Sequence, residues 1–407
     1  MEHERETGEV RRRNFLKGAA VTAGLAVVPA KAVRGAEANE RLRLGIIGCG
    51  SRGPWVGRLF EEHTNTKVVA LHDYFRDKVD AAGEQFDVPP ERRFIGLDGY
   101  KALLETDIDA VAIESPPYFH PEQAAAAVAA GKHVYLAKPI AVDVPGCQTI
   151  AESAKKAAGK LSFLVDFQTR NNELFREAAK QIHERKVGPP VSGQFFYHTS
   201  RLKQKVEPGT EVARLRNWYF DQALSGDIIV EQNIHVLDVA TWYLDAHPLK
   251  AYGMGGQKAR TGKGDCWDHF VVAYLFPDDV KVDFGSTQFL YGYHDMCMRL
   301  FCTEGTLDSH YGGEVWIRGN SYGWKGGKTP RIYQDGAVNN MRDFHASILS
   351  GEYLNNAEDS VRSTLTSILG REASYANREM TWEEMMRKAE RLDAHLDLPE
   401  DGPQRKR

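Results

Sequence analysis

The sequence predicts an α/β fold with a doubly wound parallel sheet at its front and a second domain behind it. Three observations lead there. An apolar strand runs straight into glycines spaced Gly48-x-Gly50-x-x-Gly53, and helical periodicity follows. Strand-like apolar runs then alternate with helical stretches through about residue 160, the pattern of parallel strands joined by crossover helices. An acid, Asp73, closes the second strand 20 positions past Gly53.

Leu44-Gly45-Ile46-Ile47 is apolar enough for a strand buried on both faces. Of the three glycines after it, the first permits a tight turn, the second lets backbone approach a pyrophosphate, and the third lets helix and strand pack closely. Cys49, Ser51 and Arg52 complete the turn, and Val56, Leu59 and Phe60 recur at helical spacing, so a helix N-terminus faces the anion. The next strand, Lys67 to His72, ends at Asp73, the spacing of a ribose-binding carboxylate. A carboxylate there accepts from ribose hydroxyls and repels a 2′-phosphate, which favours NAD over NADP; nearby Arg76 keeps NADP open. Asp109 to Glu114 is a further strand, ended by Ser115 and Pro116. The alanine-rich run 123–130 is a helix, and Gly131 to Leu136 leads into Ala137-Lys138-Pro139. Ser115, His120 and Lys138 follow strand ends, where such sheets bind ligands, so all three are expected to face one crevice. Residues 41–160 therefore read as a Rossmann-type NAD(P)-binding domain. Its candidate cofactor-binding residues are Gly48, Cys49, Gly50, Ser51, Arg52, Gly53, Asp73, Arg76, Ser115, Pro116, His120 and Lys138.

Ahead of this domain, Arg12-Arg13-Asn14-Phe15-Leu16-Lys17 reads as a twin-arginine signal, followed by an apolar run to Val28 and the small-x-small pattern Ala30-Lys31-Ala32. Residues 1–36 are expected to be signal and linker, with the twin-arginine machinery as partner and a periplasmic or secreted destination. The run falls short of the roughly 20 residues a spanning helix needs, so no anchor is expected after cleavage. That route carries folded proteins, and a cofactor made in the cytoplasm would travel inside the fold.

With 407 residues and 42% hydrophobic content there is material for two domains. The balance of 52 basic and 56 acidic residues argues against a nucleic-acid or membrane-surface role. Five cysteines, at 49, 147, 266, 297 and 302, contain no CxxC pair, so neither a zinc site nor a disulfide framework is indicated; a Cys297–Cys302 pairing stays open. Asp265, Asp268, His269 and His294 fit no standard ligand spacing, and no metal is expected.

A helix is expected near 230–244, with Val230, Ile234, Leu237, Thr241 and Leu244 on one stripe and Glu231, His235, Asp238 and Trp242 on the next. The first stripe should bury, and the second should line a surface or cleft. Val271 to Phe276 and Val280 to Phe284 read as hairpin strands, and Cys297 to Phe301 as a further strand. Beyond about residue 386 the chain is highly charged and is expected to fray.

GIIGCGSRG, the acid at 73, SPPYFH at 115–120 and YLAKP at 135–139 together resemble the Gfo/Idh/MocA family, the glucose–fructose oxidoreductase and inositol dehydrogenase group. That family usually has Glu-Lys-Pro where this chain has Ala137-Lys138-Pro139. Leu224 to Asp238 resembles its second-domain signature, with Glu231 in place of the commoner aspartate. The resemblance implies that residues 161–385 form an α+β domain whose open, mostly antiparallel sheet serves as substrate wall and oligomer interface. A homo-oligomer follows, with 341–349 and 359–375 packing back on the first domain.

The resemblance also implies that Lys138, Glu231 and His235 act as one cluster on a sugar or polyol. A histidine suits removal of a hydroxyl proton, because its pKa lies near working pH. His235 is the expected base, oriented by Glu231 or Asp238. Lys138 is expected to stabilise charge on the oxygen. Arg170, Arg216 and Trp218 are candidates at the substrate, by hydrogen bonding and ring stacking, with salt-bridge roles for the two arginines and a core role for the tryptophan equally open. The expected activity is oxidation of a sugar, polyol or glycoside carbinol with tightly held NAD. The alternative is a redox-neutral glycosidase or epimerase that oxidises its sugar transiently.

Overall fold

The computed structural model describes residues 41–400, 402 and 403. The export-signal reading of residues 1–36 and the basic end at 404–407 lie outside the described residues. The first sheet has six parallel strands: β1 (Leu42–Ile47), β2 (Thr66–Asp73), β3 (Arg93–Ile95), β4 (Ala110–Ile113), β5 (His133–Leu136) and β6 (Phe163–Val165). Their order is β3-β2-β1-β4-β5-β6. Strand order reverses between β1 and β4, which opens a crevice at the carboxyl ends of those two strands.

Period-2 alternation assigns each side chain to a face. Leu44, Ile46, Ala112 and Tyr135 pack with Val56 and Phe60 of helix Arg52–His63 and with Met341 and Phe344 of helix Ile332–Ser350. Ile47, Val111, Ile113, Val134 and Leu136 pack the other way, on Ala124 and Ile150 of helices His120–Ala129 and Val144–Ala157. Each such large apolar side chain contributes roughly 1.5–3 kcal/mol on burial, so a one-residue register slip is strongly disfavoured.

The second sheet comprises β7 (Pro190–Ser200), β8 (Lys250–Gly256), β9 (His269–Leu275), β10 (Lys281–Leu290), β11 (Asp295–Cys302), β12 (Gly305–His310), β13 (Glu314–Gly319), β14 (Gly323–Lys328) and β15 (Met380–Thr381). Its order is β14-β13-β12-β11-β7-β10-β9-β8-β15. Only the central β7–β10 pair is parallel. Along β9, buried Phe270, Val272 and Tyr274 alternate with exposed Val271 and Ala273. One face is therefore covered, by helices Ile234–Leu244 and Ala357–Ala376 among others, and the other is open.

Two expectations need correction. The helix expected at 230–244 is broken into Ile228–Glu231 and Ile234–Leu244. At the break the Asn233 amide reaches back five residues to the Ile228 carbonyl at 2.8 Å, a wide turn that α-helical spacing does not anticipate. The charged tail does not fray up to residue 400. After helix Trp382–Lys388, Ala389 turns the chain with φ 42°, and the following residues lie along the first sheet's domain. Leu392, Ala394, Leu396 and Leu398 turn inward while Arg391, Asp393, His395 and Asp397 stay exposed. The charges on that outer face hide a period-2 apolar strip.

Candidate active site

The glycine turn does three separate things. Gly48 has φ 95°, and a Cβ there would lie 2.6 Å from the backbone of Glu114 and Ser115. A Cβ on Gly53 would lie 2.0 Å from the Gly48 carbonyl oxygen, so the helix can close on the strand only at glycine. Gly50 has nothing within 4 Å of its would-be Cβ. It faces a cavity of about 340 Å³ lined also by Gly48, Asp73, Ser115 and Pro116. A bare helix N-terminus, an open Gly50 and a carboxylate at the end of β2 fit a dinucleotide.

Asp73 accepts from the Cys49 amide at 2.8 Å and the Phe75 amide at 2.9 Å, while burial raises its pKa. The Cys49 thiol turns inward toward the His72 carbonyl, so this residue meets the site through backbone. Ser51 stands exposed at the cap of helix Arg52–His63.

Several assigned side chains go elsewhere. Arg52 does not reach for phosphate: its Nε meets Glu114 at 2.9 Å, its Nη2 meets Asp166, and its Nη1 donates to Tyr333 at 2.8 Å. Both carboxylates have fully buried side chains, and burial pushes Glu114 up to about 7 although Arg52 opposes it. Arg76 is exposed and outside the cavity; the lysines lining it are Lys78 and Lys205. His120 is buried with Nδ1 2.8 Å from the Pro139 carbonyl and Nε2 2.8 Å from the Ser115 carbonyl, so it braces the two strand-end loops from behind and does not face the crevice. Arg216 pairs with Asp77 at 2.7 Å and lies over the Phe75 ring at 4.0 Å. With Trp218 it lines the same cavity as Gly50 and Asp73, where the sequence reading placed both at the substrate.

Lys138, at the end of β5, reaches across to the second domain. Its Nζ donates to the Glu231 carbonyl at 2.6 Å and lies 3.5 Å from the Glu231 carboxylate. The helix break matters here, because Glu231 ends the first segment and offers its carbonyl outward. His235 follows in the first turn of the second segment, 7% exposed. The rings of Tyr311, Phe167 and Tyr197 lie 5.5, 6.4 and 6.5 Å from its ring. Burial first, then the charges of Lys138 and Arg52, hold its pKa well below 6.5. Its Nδ1 has no hydrogen-bond partner among the described residues.

Asp238 does not orient it. Asp238 is taken by Arg170, whose Nε lies 3.0 Å from both carboxylate oxygens, and by the Ser363 hydroxyl at 2.6 Å. Arg170 also pairs with Asp359 at 2.9 Å and lies over Trp242 at 5.4 Å, so it is fixed to the helices and not free for substrate. Both groups are desolvated, and without the Asp238 charge Arg170 keeps only Asp359, whose side chain is exposed. Asp238→Asn is expected to cost about 3 kcal/mol of unfolding free energy by denaturant titration, with the pH dependence of any turnover unchanged.

The sequence reading overlooked Glu114, Asp166, Tyr197, Tyr311, Tyr333, Lys78 and Lys205. None carries a local spacing signal. The five cysteines are free; Cys297 and Cys302 lie five positions apart on one strand. Among the described residues, Asp295, Cys297 and His310 bring donor atoms within 4.8 Å of one another. There His310 sits 2.8 Å from Asp295 and 3.3 Å from Asp308, and these hydrogen bonds push its pKa up to about 12. Imidazolium and carboxylates already satisfy each other, and a metal would have to displace that proton.

The fold and the glycine turn define a dinucleotide-binding oxidoreductase. The family model for the GFO/IDH/MocA oxidoreductase family, NAD-binding Rossmann fold, matches residues 42–165, and that for the GFO/IDH/MocA C-terminal domain matches residues 175–308. Together they span more than half of the chain, which belongs to this family. An inositol 2-dehydrogenase of Acidothermus cellulolyticus is 27% identical over 258 residues, 63% of this chain and 69% of the relative. The fold is also that of an aldose–aldose oxidoreductase from Caulobacter crescentus, with TM-score 0.69 and 18% identity over 84% of this chain and 100% of the other. A scyllo-inositol dehydrogenase from Lactobacillus casei, solved with NAD(H) and scyllo-inositol, gives TM-score 0.66 and 20% identity over 84% and 100%.

Proposed function

We propose that this chain oxidises a secondary hydroxyl of a sugar or polyol, using NAD held between the glycine turn and Asp73. The observation that carries the reading is the join between the two sheets. Lys138 from the first and Glu231 from the second touch there, beside a histidine kept neutral by its surroundings. A neutral imidazole can take a hydroxyl proton; an imidazolium cannot. The ammonium of Lys138 is placed to steady the oxygen as it gains negative character. Glu231 fixes that ammonium, and Tyr197, Tyr311 and Phe167 keep water from the imidazole. The nicotinamide, when bound, supplies the hydride acceptor. The inositol dehydrogenase relatives and the twin-arginine motif support an exported polyol or sugar oxidoreductase.

The test is a panel of inositols, aldoses and glycosides with added NAD or NADP, read by reduced-cofactor absorbance. Reduction of neither cofactor by any member of the panel sinks the net-oxidation reading. Glycoside cleavage or epimerisation without absorbance change would establish the redox-neutral alternative. That alternative draws its support from residues 12–17: a cofactor carried out inside the fold must be regenerated in place.

The pH profile follows from His235. Its pKa is depressed, so the base stays deprotonated through the ordinary histidine range. The acid limb of kcat/KM is expected well below pH 6.5, and a limb at or above 6.5 would contradict the assignment. Export is checked by fractionation of cells expressing the full chain against Arg12→Lys/Arg13→Lys. A homo-oligomer through the open sheet face is also proposed. Tyr252, Met254 and Val271 lie exposed there, Met254 opposite Val271 in register. A monomer in light scattering would count against it.

A further inference from the structure

We propose that residues 389–400, none of which lines the cavity, control exchange of the cofactor from behind its walls. This segment ties the two walls of the dinucleotide cavity together, so that cofactor entry and release require it to detach. The inference rests on the reading above that the cavity holds the dinucleotide.

The cavity has one wall from the first sheet's domain, including Asp73, Phe75, Lys78 and Leu97, and another from a crossing segment that includes Lys205, Leu215 and Trp218. No strand pairing joins the second wall to the first, and Arg216 ties them directly through Asp77 and the Phe75 ring. The tail adds to that tie in two ways. Tyr74 and Phe75 of one wall, Leu215 of the other and Ala394 of the tail form one buried apolar cluster, with Leu396 and Leu398 packed on it. Hydrogen bonds run to both sides as well. The Leu97 amide donates to the Glu400 carbonyl at 2.8 Å, and the guanidinium Nη1 of Arg214, next to Leu215, donates to the Ala394 carbonyl at 2.7 Å. A third tie, from the Leu392 amide to Asp143 at 2.9 Å, anchors the start of the brace.

The segment is also built to let go. It pairs with no strand, and its outer face is exposed charge. A chain held by a few side chains and isolated hydrogen bonds opens locally at much lower cost than the sheets it crosses. Coupling between two sites is reciprocal: if the seated tail slows cofactor loss through higher affinity, bound cofactor must favour the seated tail by the same factor. An enzyme that carries its cofactor out of the cytoplasm benefits from such a clasp.

Two variants test this: a chain ending at Ala389, and the full chain with Ala394→Glu, which places a charge in the cluster and leaves the rest of the tail. NADH release is followed by stopped-flow fluorescence, and amide exchange at Leu97 and Leu392 is measured with and without NAD. Release at least tenfold faster in the folded variants, with slower exchange at both amides on adding NAD to the unaltered protein, is the expected result. If the shortened chain does not fold, Ala394→Glu decides. Release within twofold of the unaltered protein, or tail exchange indifferent to bound NAD, overturns the proposal alone. Failure of the unaltered protein to bind NAD or NADP overturns the functional reading and the clasp with it.

Discussion

Lys138→Ala is expected to lower kcat by about 10³-fold while cofactor stays bound. The ammonium is held by a carbonyl at 2.6 Å and a carboxylate at 3.5 Å, both from Glu231. Its charge is thus placed by the second domain, and the proposed reaction sets a substrate oxygen against it. Cofactor contacts, by contrast, are proposed at the glycine turn and Asp73. Equilibrium dialysis with NAD and single-turnover kinetics separate the two roles. Turnover unchanged in Lys138→Ala removes lysine from the chemistry. Loss of cofactor together with turnover assigns it to binding. Glu231→Gln keeps the backbone acceptor and is expected to be far milder, because the shorter of the two contacts is to the carbonyl.

What the sequence disclosed and what it hid divide along a physical line. The glycine turn, Asp73 and the β-strand ends are local: their residue types are imposed by backbone geometry within a few positions, and spacing reports them. Lys138 and His235 were legible as members of a pattern, although the break at Gln232 and Asn233 was not, since propensity within a helical stretch does not register one wide turn. The ion pairs were illegible because their partners are distant in sequence. Arg52 meets Glu114, Asp166 and Tyr333; Arg170 meets Asp238 and Asp359. An arginine near a glycine turn has the same sequence signature whether it faces phosphate outside or carboxylates inside. Only packing decides, and here the residue after β4 is a carboxylate, Glu114, while the residue after β5 is Ala137, where the family usually has glutamate. The tail was misread for a related reason: charge on alternate residues masked Leu392, Ala394, Leu396 and Leu398.

Replacing Arg52 tests which way that arginine faces. Arg52→Met keeps much of the apolar stem but leaves Glu114 and Asp166, both with fully buried side chains, without the cation that bridges them. Breaking a buried pair by removing one partner typically costs about 3–5 kcal/mol, and a loss of that size is expected in denaturant unfolding at pH 8. The sign of its pH dependence follows from Glu114, whose folded pKa is already raised to about 7. Without Arg52 that value rises further, so the folded variant binds a proton the unfolded chain does not. The destabilisation should therefore shrink as pH falls from 8 toward 5, because the stranded carboxyl becomes neutral. Adding Glu114→Gln to Arg52→Met should recover part of the loss at pH 8, a coupling that independent sites would not show. A phosphate-binding arginine gives the opposite pattern: stability near that of the unaltered protein at every pH, and NAD affinity lowered tenfold or more.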